Sequence, residues 1–272
     1  MISFPYAKIN LGLHIISKRD DGFHNLETGF LPIKLHDVLE IVPSEKFVFN
    51  AYGIKIAGNT DDNLCVKAYG LLQKEYNIPA VEIHLIKKIP FGAGLGGGSS
   101  DAAFTLMSLN ELFHLDIKKE KLQSFARELG ADCAYFIEDK KVQYATGRGD
   151  VFQEINLPKE DFNIIIAKPD FNISTKEAFC GIEIKKREYR LLDNLLKGKE
   201  HWKNNVKNDF EESLFVKYPA LAEIKERFYQ KGAFYSSLSG SGSVVYGFFD
   251  KKMDLKEIEN SFAINNLELY KV

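Results

Sequence analysis

The sequence predicts an α+β protein, on three observations. Several stretches alternate apolar and polar residues, as half-buried strands do, and others repeat apolar residues every three or four positions, as amphipathic helices do. The two kinds follow one another without the regular β-α-β order of a parallel sheet. With 272 residues, 45% of them hydrophobic, the chain can bury a sizeable core in one or two domains.

Residues 7–17 open the chain as a strand, with Ile9, Leu11, Leu13 and Ile15 alternating with Asn10, Gly12 and His14. Asp20-Asp21-Gly22 is a turn. Strands follow at 38–42 and 47–50, then a helix at 63–76 with Leu64, Ala68, Leu71 and Leu72 on one face. Residues 81–85 alternate cleanly, as an antiparallel strand with one wet face should. Ala102, Ala103, Leu106, Leu109 and Phe113 mark a helix after the Gly-rich stretch. Leu122, Phe125, Ala126 and Leu129 mark another, which stops at Gly130. Strands are expected at 142–145 and 162–167, with a domain seam near Pro158 and residues 159–161. The stretch 184–207 is charged and helical in tendency, and one helix is expected from about 211 to 230, ending at Gly232. A strand, a Ser239-Gly240-Ser241-Gly242 turn and a strand at 244–249 follow. Neither an internal repeat nor a low-complexity tail is visible.

Composition narrows the class. Lys plus Arg is 36 against 38 Asp plus Glu, a net charge of −2 that argues against a nucleic-acid binder. Cys65, Cys133 and Cys180 lie far apart, poor material for a disulfide framework or a zinc site and consistent with a reducing cytoplasm. No run approaches the ~20 apolar residues of a membrane span, and no signal or transit peptide is visible. A soluble, cytoplasmic protein is the expectation.

The strongest chemical signal is Pro90-Phe91-Gly92-Ala93-Gly94-Leu95-Gly96-Gly97-Gly98-Ser99-Ser100-Asp101, with five glycines in residues 92–98. So many glycines suggest positive φ or close approach of a ligand. A Gly-rich turn feeding a helix N-terminus presents free N–H groups and a positive dipole end, which suits a phosphate. Gly92-x-Gly94-x-x-Gly97 matches the dinucleotide fingerprint in form only, because the preceding strand alternates and Lys87, Lys88 and Pro90 intervene. No Gly-Lys-Ser/Thr follows, so it is not a P-loop. Ser99, Ser100 and Asp101 stand where side-chain oxygens cap a helix or help hold a metal ion.

The other candidates are weaker alone. Asp132, past a helix C-terminus, is either solvated or held for a purpose, and Lys8 on spacing alone is a snorkelling surface residue. Asp21-Gly22-Phe23-His24 is a turn before an aromatic and a histidine, and one reading puts Phe23 in the core. Residues 239–243 read as a second anion-accepting nest or a hairpin turn. Asp209 and Glu212 resemble a capping box.

Together these segments are identifiable. Ala7-Lys8-Ile9-Asn10, residues 90–100 and Leu238-Ser239-Gly240-Ser241-Gly242 resemble, in order and across nearly the whole chain, the three motifs of the GHMP kinases. Asp21-Gly22-Phe23-His24 and Gly130-Ala131-Asp132 resemble marks of one branch, whose acceptor alcohol carries a cytidine diphosphate group and serves non-mevalonate isoprenoid synthesis. The resemblance implies a two-domain fold: residues 1–157 of ribosomal protein S5 domain 2-like type holding ATP, and residues 158–272 of ferredoxin-like type. It implies phosphoryl transfer from ATP with Mg²⁺, with Lys8 and Asp132 as the catalytic pair and residues 90–100 on the nucleotide. Ser100 and Asp132 are the candidates for the metal. Asn10, Phe23, His24, Thr175 and Phe179 are implied to touch the substrate, two aromatic rings sandwiching the cytosine. Phe23 stands where tyrosine is usual, and Cys133-Ala134-Tyr135 where Val-Pro-Phe is usual. Asn63 and the Lys87-Lys88 pair are candidates for the adenine side. Rival readings are a homoserine- or mevalonate-type kinase, a non-catalytic sensor on the same fold, and a nicotinamide-dependent oxidoreductase.

Overall fold

The computed structural model describes residues 1–56, 58–138, 140–157, 162–262 and 267–272. The seam expected at Pro158 and residues 159–161 lies outside them. Two compact units share the chain: Met1–Lys8, Pro32–Phe91 and Gly96–Lys141 form the first, and Ile9–Leu31, Gly92–Leu95 and Val142–Val272 the second.

In the first unit a four-stranded sheet has the order Ile2–Ser3, Val38–Pro43, Val81–Lys87, Val48–Gly53. Val81–Lys87 keeps the expected alternation, with Val81, Ile83 and Leu85 buried. Its pairing corrects the expectation of an antiparallel strand. It is antiparallel to Val38–Pro43 but parallel to Val48–Gly53, and the helix Leu64–Tyr76 connects that parallel pair in one β-α-β crossover. Asn63 caps this helix by accepting from the Cys65 N–H at 2.9 Å. The helices Leu64–Tyr76, Gly97–Leu112 and Lys119–Leu129 pack on one another, and Leu72, Leu106, Leu109 and Phe125 are buried in this unit with Leu39, Ile41, Ile83 and Leu85.

In the second unit an antiparallel sheet has the order Tyr235–Leu238, Val245–Asp250, Phe162–Pro169, Leu267–Lys271. Numbered along the chain that order is 2-3-1-4, the ferredoxin-like arrangement. Leu221, Ile224 and Phe228 from one helix pack with Ile165, Val245 and Phe249 in the apolar core of this unit. The helix expected over 211–230 is two, Phe210–Lys217 and Pro219–Gln230. Pro219 excludes helical φ/ψ from the residue before it, and Tyr218 sits at φ −125°, ψ 74°. The expected capping box is absent too. The Asp209 carboxylate accepts from the Ile15 N–H at 2.7 Å and pairs with Arg187, while Glu212 pairs with Lys185.

A second sheet, ordered Tyr6–Lys18, His24–His36, Gln143–Thr146, Val151–Glu154, includes two strands the sequence did not announce. Tyr6–Lys18 enters this unit at Ile9, and there its polar positions are buried as well: Asn10 and His14 are each 2% exposed. Phe23 is 55% exposed, which overturns the reading that puts it in the core.

Candidate active site

Lys8, read from spacing as a surface residue, is the reverse. Its side chain is 3% exposed and its Nζ lies 3.3 Å from Asp132 Oδ2, while Asp132 stays 36% exposed. Both belong to the first unit. Asp132 sits in the 3-10 segment Ala131–Ile137, directly after the helix that ends at Gly130. A buried cation therefore holds one oxygen of a carboxylate that solvent reaches.

The Gly-rich loop delivers the helix Gly97–Leu112 one turn earlier than expected, with Gly96 as its N-cap in a left-handed conformation at φ 70°. No side chain caps it, so the expected capping by Ser99, Ser100 or Asp101 does not occur. Its first turn lies at the positive end of a 16-residue dipole. A Cβ on Gly96 would stand 2.9 Å from Phe136 Cζ and 3.1 Å from Lys8 Cε. That glycine makes room for the side chain of the predicted catalytic lysine. Ser100 is fully buried and its hydroxyl has no hydrogen-bond partner among the described residues.

Asp101 is buried, with its Oδ1 unpartnered among the described residues. Its Oδ2 lies 2.7 Å from Lys87 Nζ, and Lys87 also pairs with Asp37; each of the three is at most 2% exposed. Burial pushes the Asp101 carboxyl up to about 8 against the pull of Lys87. Lys87 is thus committed to this cluster and does not serve as an adenine contact. Asn63 lines a cavity of about 350 Å³ with Phe49, Tyr52, Lys55 and Thr60.

In the second unit the loop residues meet the 239–243 turn. Ser239 Oγ donates to the Gly94 carbonyl at 2.8 Å and accepts from the Asn10 N–H at 3.2 Å. Asn10 Nδ2 donates to Thr28 Oγ1 at 2.9 Å, and the Tyr246 hydroxyl donates to the Asn10 carbonyl at 2.6 Å. The His24 ring stacks on Phe179 at 4.6 Å and 16°, with Phe210 edge-on to Phe179 at 4.9 Å. Burial, then Lys18, lowers the His24 pKa, favouring the neutral imidazole. Thr175 opens a short helix at Ser174, its hydroxyl 3.5 Å from Ser241 Oγ. Phe23 lies under the Arg148 guanidinium at 5.1 Å.

Sequence reasoning missed Asp37, Arg148 and Asn208. Asn208 Nδ2 donates to the Leu238 and Gly240 carbonyls at 2.9 and 2.8 Å, holding the turn beside Asn10. None of the three sits in a patterned segment; an Asn-Asp pair before a helix was the one available signal.

Among the described residues no group of three or more His, Cys, Asp or Glu side chains could hold a metal, and no helix is long and apolar enough to cross a membrane.

Two family models match the chain, the GHMP kinases N terminal domain over residues 63–139 and the GHMP kinases C terminal over 186–266. A 4-diphosphocytidyl-2-C-methyl-D-erythritol kinase of Bacteroides thetaiotaomicron is 49% identical over 95% of this chain and 96% of its own. One of Cytophaga hutchinsonii is 46% identical over 93% of each. The crystal structure of a 4-(cytidine 5'-diphospho)-2C-methyl-D-erythritol kinase superposes with a TM-score of 0.84 at 28% identity, covering 100% of this chain and 98% of that one. A mevalonate kinase at 14% identity and TM-score 0.77, covering 100% and 98%, shares the fold.

Proposed function

The chain belongs to the GHMP kinase family, and on that premise we propose that it transfers the γ-phosphoryl group of ATP to the 2-hydroxyl of 4-diphosphocytidyl-2-C-methyl-D-erythritol. The observation that carries the chemistry is the Lys8–Asp132 pair, a buried ammonium beside a solvent-reached carboxylate. Phosphoryl transfer asks for positioning and charge stabilisation more than covalent work.

The acceptor oxygen bonds to the γ-phosphorus as the bond to the bridging β–γ oxygen breaks, and ADP leaves. Asp132 takes the hydroxyl proton on Oδ1, its Oδ2 being turned to Lys8. Lys8 orients Asp132 and stabilises developing negative charge. The backbone over residues 90–100 holds the phosphates, with the N-terminus of Gly97–Leu112 supplying N–H donors. Ser100, whose hydroxyl is unpartnered, and the accessible Asp132 carboxylate would hold Mg²⁺, which would neutralise phosphate charge. Asn63 and its cavity suit the adenine.

Specificity is assigned to the second unit. Phe23, His24 and Phe179 take the cytosine, and Asn10 and Thr175 take polar groups of the same substrate. The His24–Phe179 stack supports this, since a base can continue such a stack whereas an acyclic acid gains nothing from it. The free cysteines suit a reducing cytoplasm.

ATP consumption measured with and without the cytidine alcohol tests the reading. Turnover that depends on that alcohol is expected. Equal turnover with homoserine or mevalonate in its place would discard the substrate assignment, and ATP binding with no turnover on any alcohol would make the chain a sensor.

A further inference from the structure

The Asp37, Lys87 and Asp101 side chains form a buried ionic cluster of the first unit for which the phosphoryl transfer above has no task. Burying three ionisable groups is costly unless the geometry compensates each one, and burial already raises the Asp101 carboxyl. Hydrophobic residues of the same volume would fill the space at less cost, so position is what the cluster contributes.

That position is specific. Lys87 ends the strand that leads into the Gly-rich loop, and Asp101 lies in the second turn of the helix that leads out. Their 2.7 Å contact therefore joins the two stems of the loop across 14 residues of sequence. Asp37, at the end of the strand His24–His36, grips the entry stem a second time. Its Oδ1 accepts from the Lys88 N–H at 2.5 Å and the Ile89 N–H at 2.9 Å. The exit stem closes directly over the ammonium: a Cβ on Gly97 would stand 3.1 Å from Lys87 Nζ and 2.8 Å from Ile89 Cγ2.

We propose that Asp37, Lys87 and Asp101 act as a clamp on the two stems of the Gly-rich loop, with Lys87 and Asp101 as positioning residues for ATP. The loop presents its phosphate contacts through backbone, so the spacing of its stems sets where those N–H groups point. Fixing them before the nucleotide arrives removes an ordering cost from binding. The clamp rests on the reading of this loop as the nucleotide site. It requires no particular acceptor alcohol.

Steady-state kinetics on Lys87→Met, Asp101→Leu and Asp101→Asn test it, beside the dissociation constant of a fluorescent ATP analogue measured with no acceptor present. Lys87→Met and Asp101→Leu are expected to raise KM for ATP and the analogue constant by roughly ten- to a hundredfold, the usual cost of a misplaced site. KM for the cytidine alcohol should stay within about twofold, and loss of folded enzyme, which lowers Vmax alone, would not produce that split. Asp101→Asn keeps an oxygen for Lys87 and should restore most of the ATP affinity. If Lys87→Met does not fold, the Asp101 pair decides, and equal ATP constants in Asp101→Leu and Asp101→Asn overturn the clamp. Equal changes in both KM values overturn it as well. A wild-type chain that binds the analogue but ignores the cytidine alcohol removes the substrate assignment and leaves the clamp standing.

Discussion

Gly94 lies against the backbone of Ser239 so closely that a Cβ on it would stand 1.9 Å from the Ser239 carbonyl oxygen. Gly94 is also at φ 78°, which L side chains seldom adopt. The Ser239 hydroxyl completes the contact at the Gly94 carbonyl. The middle of the Gly-rich loop is seated on the third sequence motif by backbone shape and one side-chain hydroxyl.

Replacing Gly94 with alanine should displace the loop from this seat. We expect KM for ATP to rise by tenfold or more, on the order of one misplaced binding element. Far-ultraviolet circular dichroism should stay as in wild type, since the residue is in neither helix nor strand. An unchanged KM for ATP would show that the seat is irrelevant to the nucleotide.

Asp132→Asn keeps the shape of the carboxylate and removes its basicity. A fall in kcat of roughly 10²–10⁴ is expected, the range for a general base. KM for ATP should move little. Near-normal turnover of the purified variant would remove Asp132 from the reaction.

Phe179→Ala deletes the ring on which His24 stacks. KM for the cytidine alcohol should rise far more than KM for ATP, by a factor of roughly ten for about 1.4 kcal/mol of lost stacking. Equal shifts in the two constants would count against a cytosine site here.

His14 gives a pH dependence with a definite sign. Burial first, then the Arg187 charge, lowers its pKa from 6.5 to about 4, so the folded chain holds it neutral. Its contribution is complete above pH 6.5, the unfolded value, and is lost as pH falls through the folded value near 4. The loss amounts to at most roughly 3 kcal/mol at 1.36 kcal/mol per pH unit. Urea unfolding at pH 7 and pH 4.5 should show wild type losing more stability than His14→Gln. Parallel losses would mean that His14 contributes none of the acid sensitivity.

Much of the fold was legible in the sequence because it rests on local pattern. The alternation over residues 81–85 found a real strand, and the 3.6-residue spacing after the loop found Gly97–Leu112. Failures came where distant residues decide. Which strand lies beside Val81–Lys87 is a matter of tertiary pairing, so its parallel neighbour was invisible. Pro219 did announce a break, but the apolar spacing on either side of it ran on and masked it.

At the site the same division holds. Glycine spacing is written in the chain and gave the loop. The burial of Lys8 was unreadable from its neighbours, because Asp132 arrives from 124 positions away. Resemblance to a family named both residues where spacing had set them aside. Asp37, buried beneath the loop by two backbone N–H groups and Lys87, carried no signal at all.

The interleaving of the two units bears on how the chain is born. Strand residues between Ile9 and Leu31 emerge from the ribosome early, yet the strand that pairs with His24–His36 begins at Gln143. At roughly 5–20 residues per second, the nascent chain carries an apolar hairpin without its partner for many seconds. The first unit is complete in sequence at Lys141, before that partner exists. Synthesis thus presents the whole sequence of the first unit before that of the second, with a hairpin that waits for its edge to be covered.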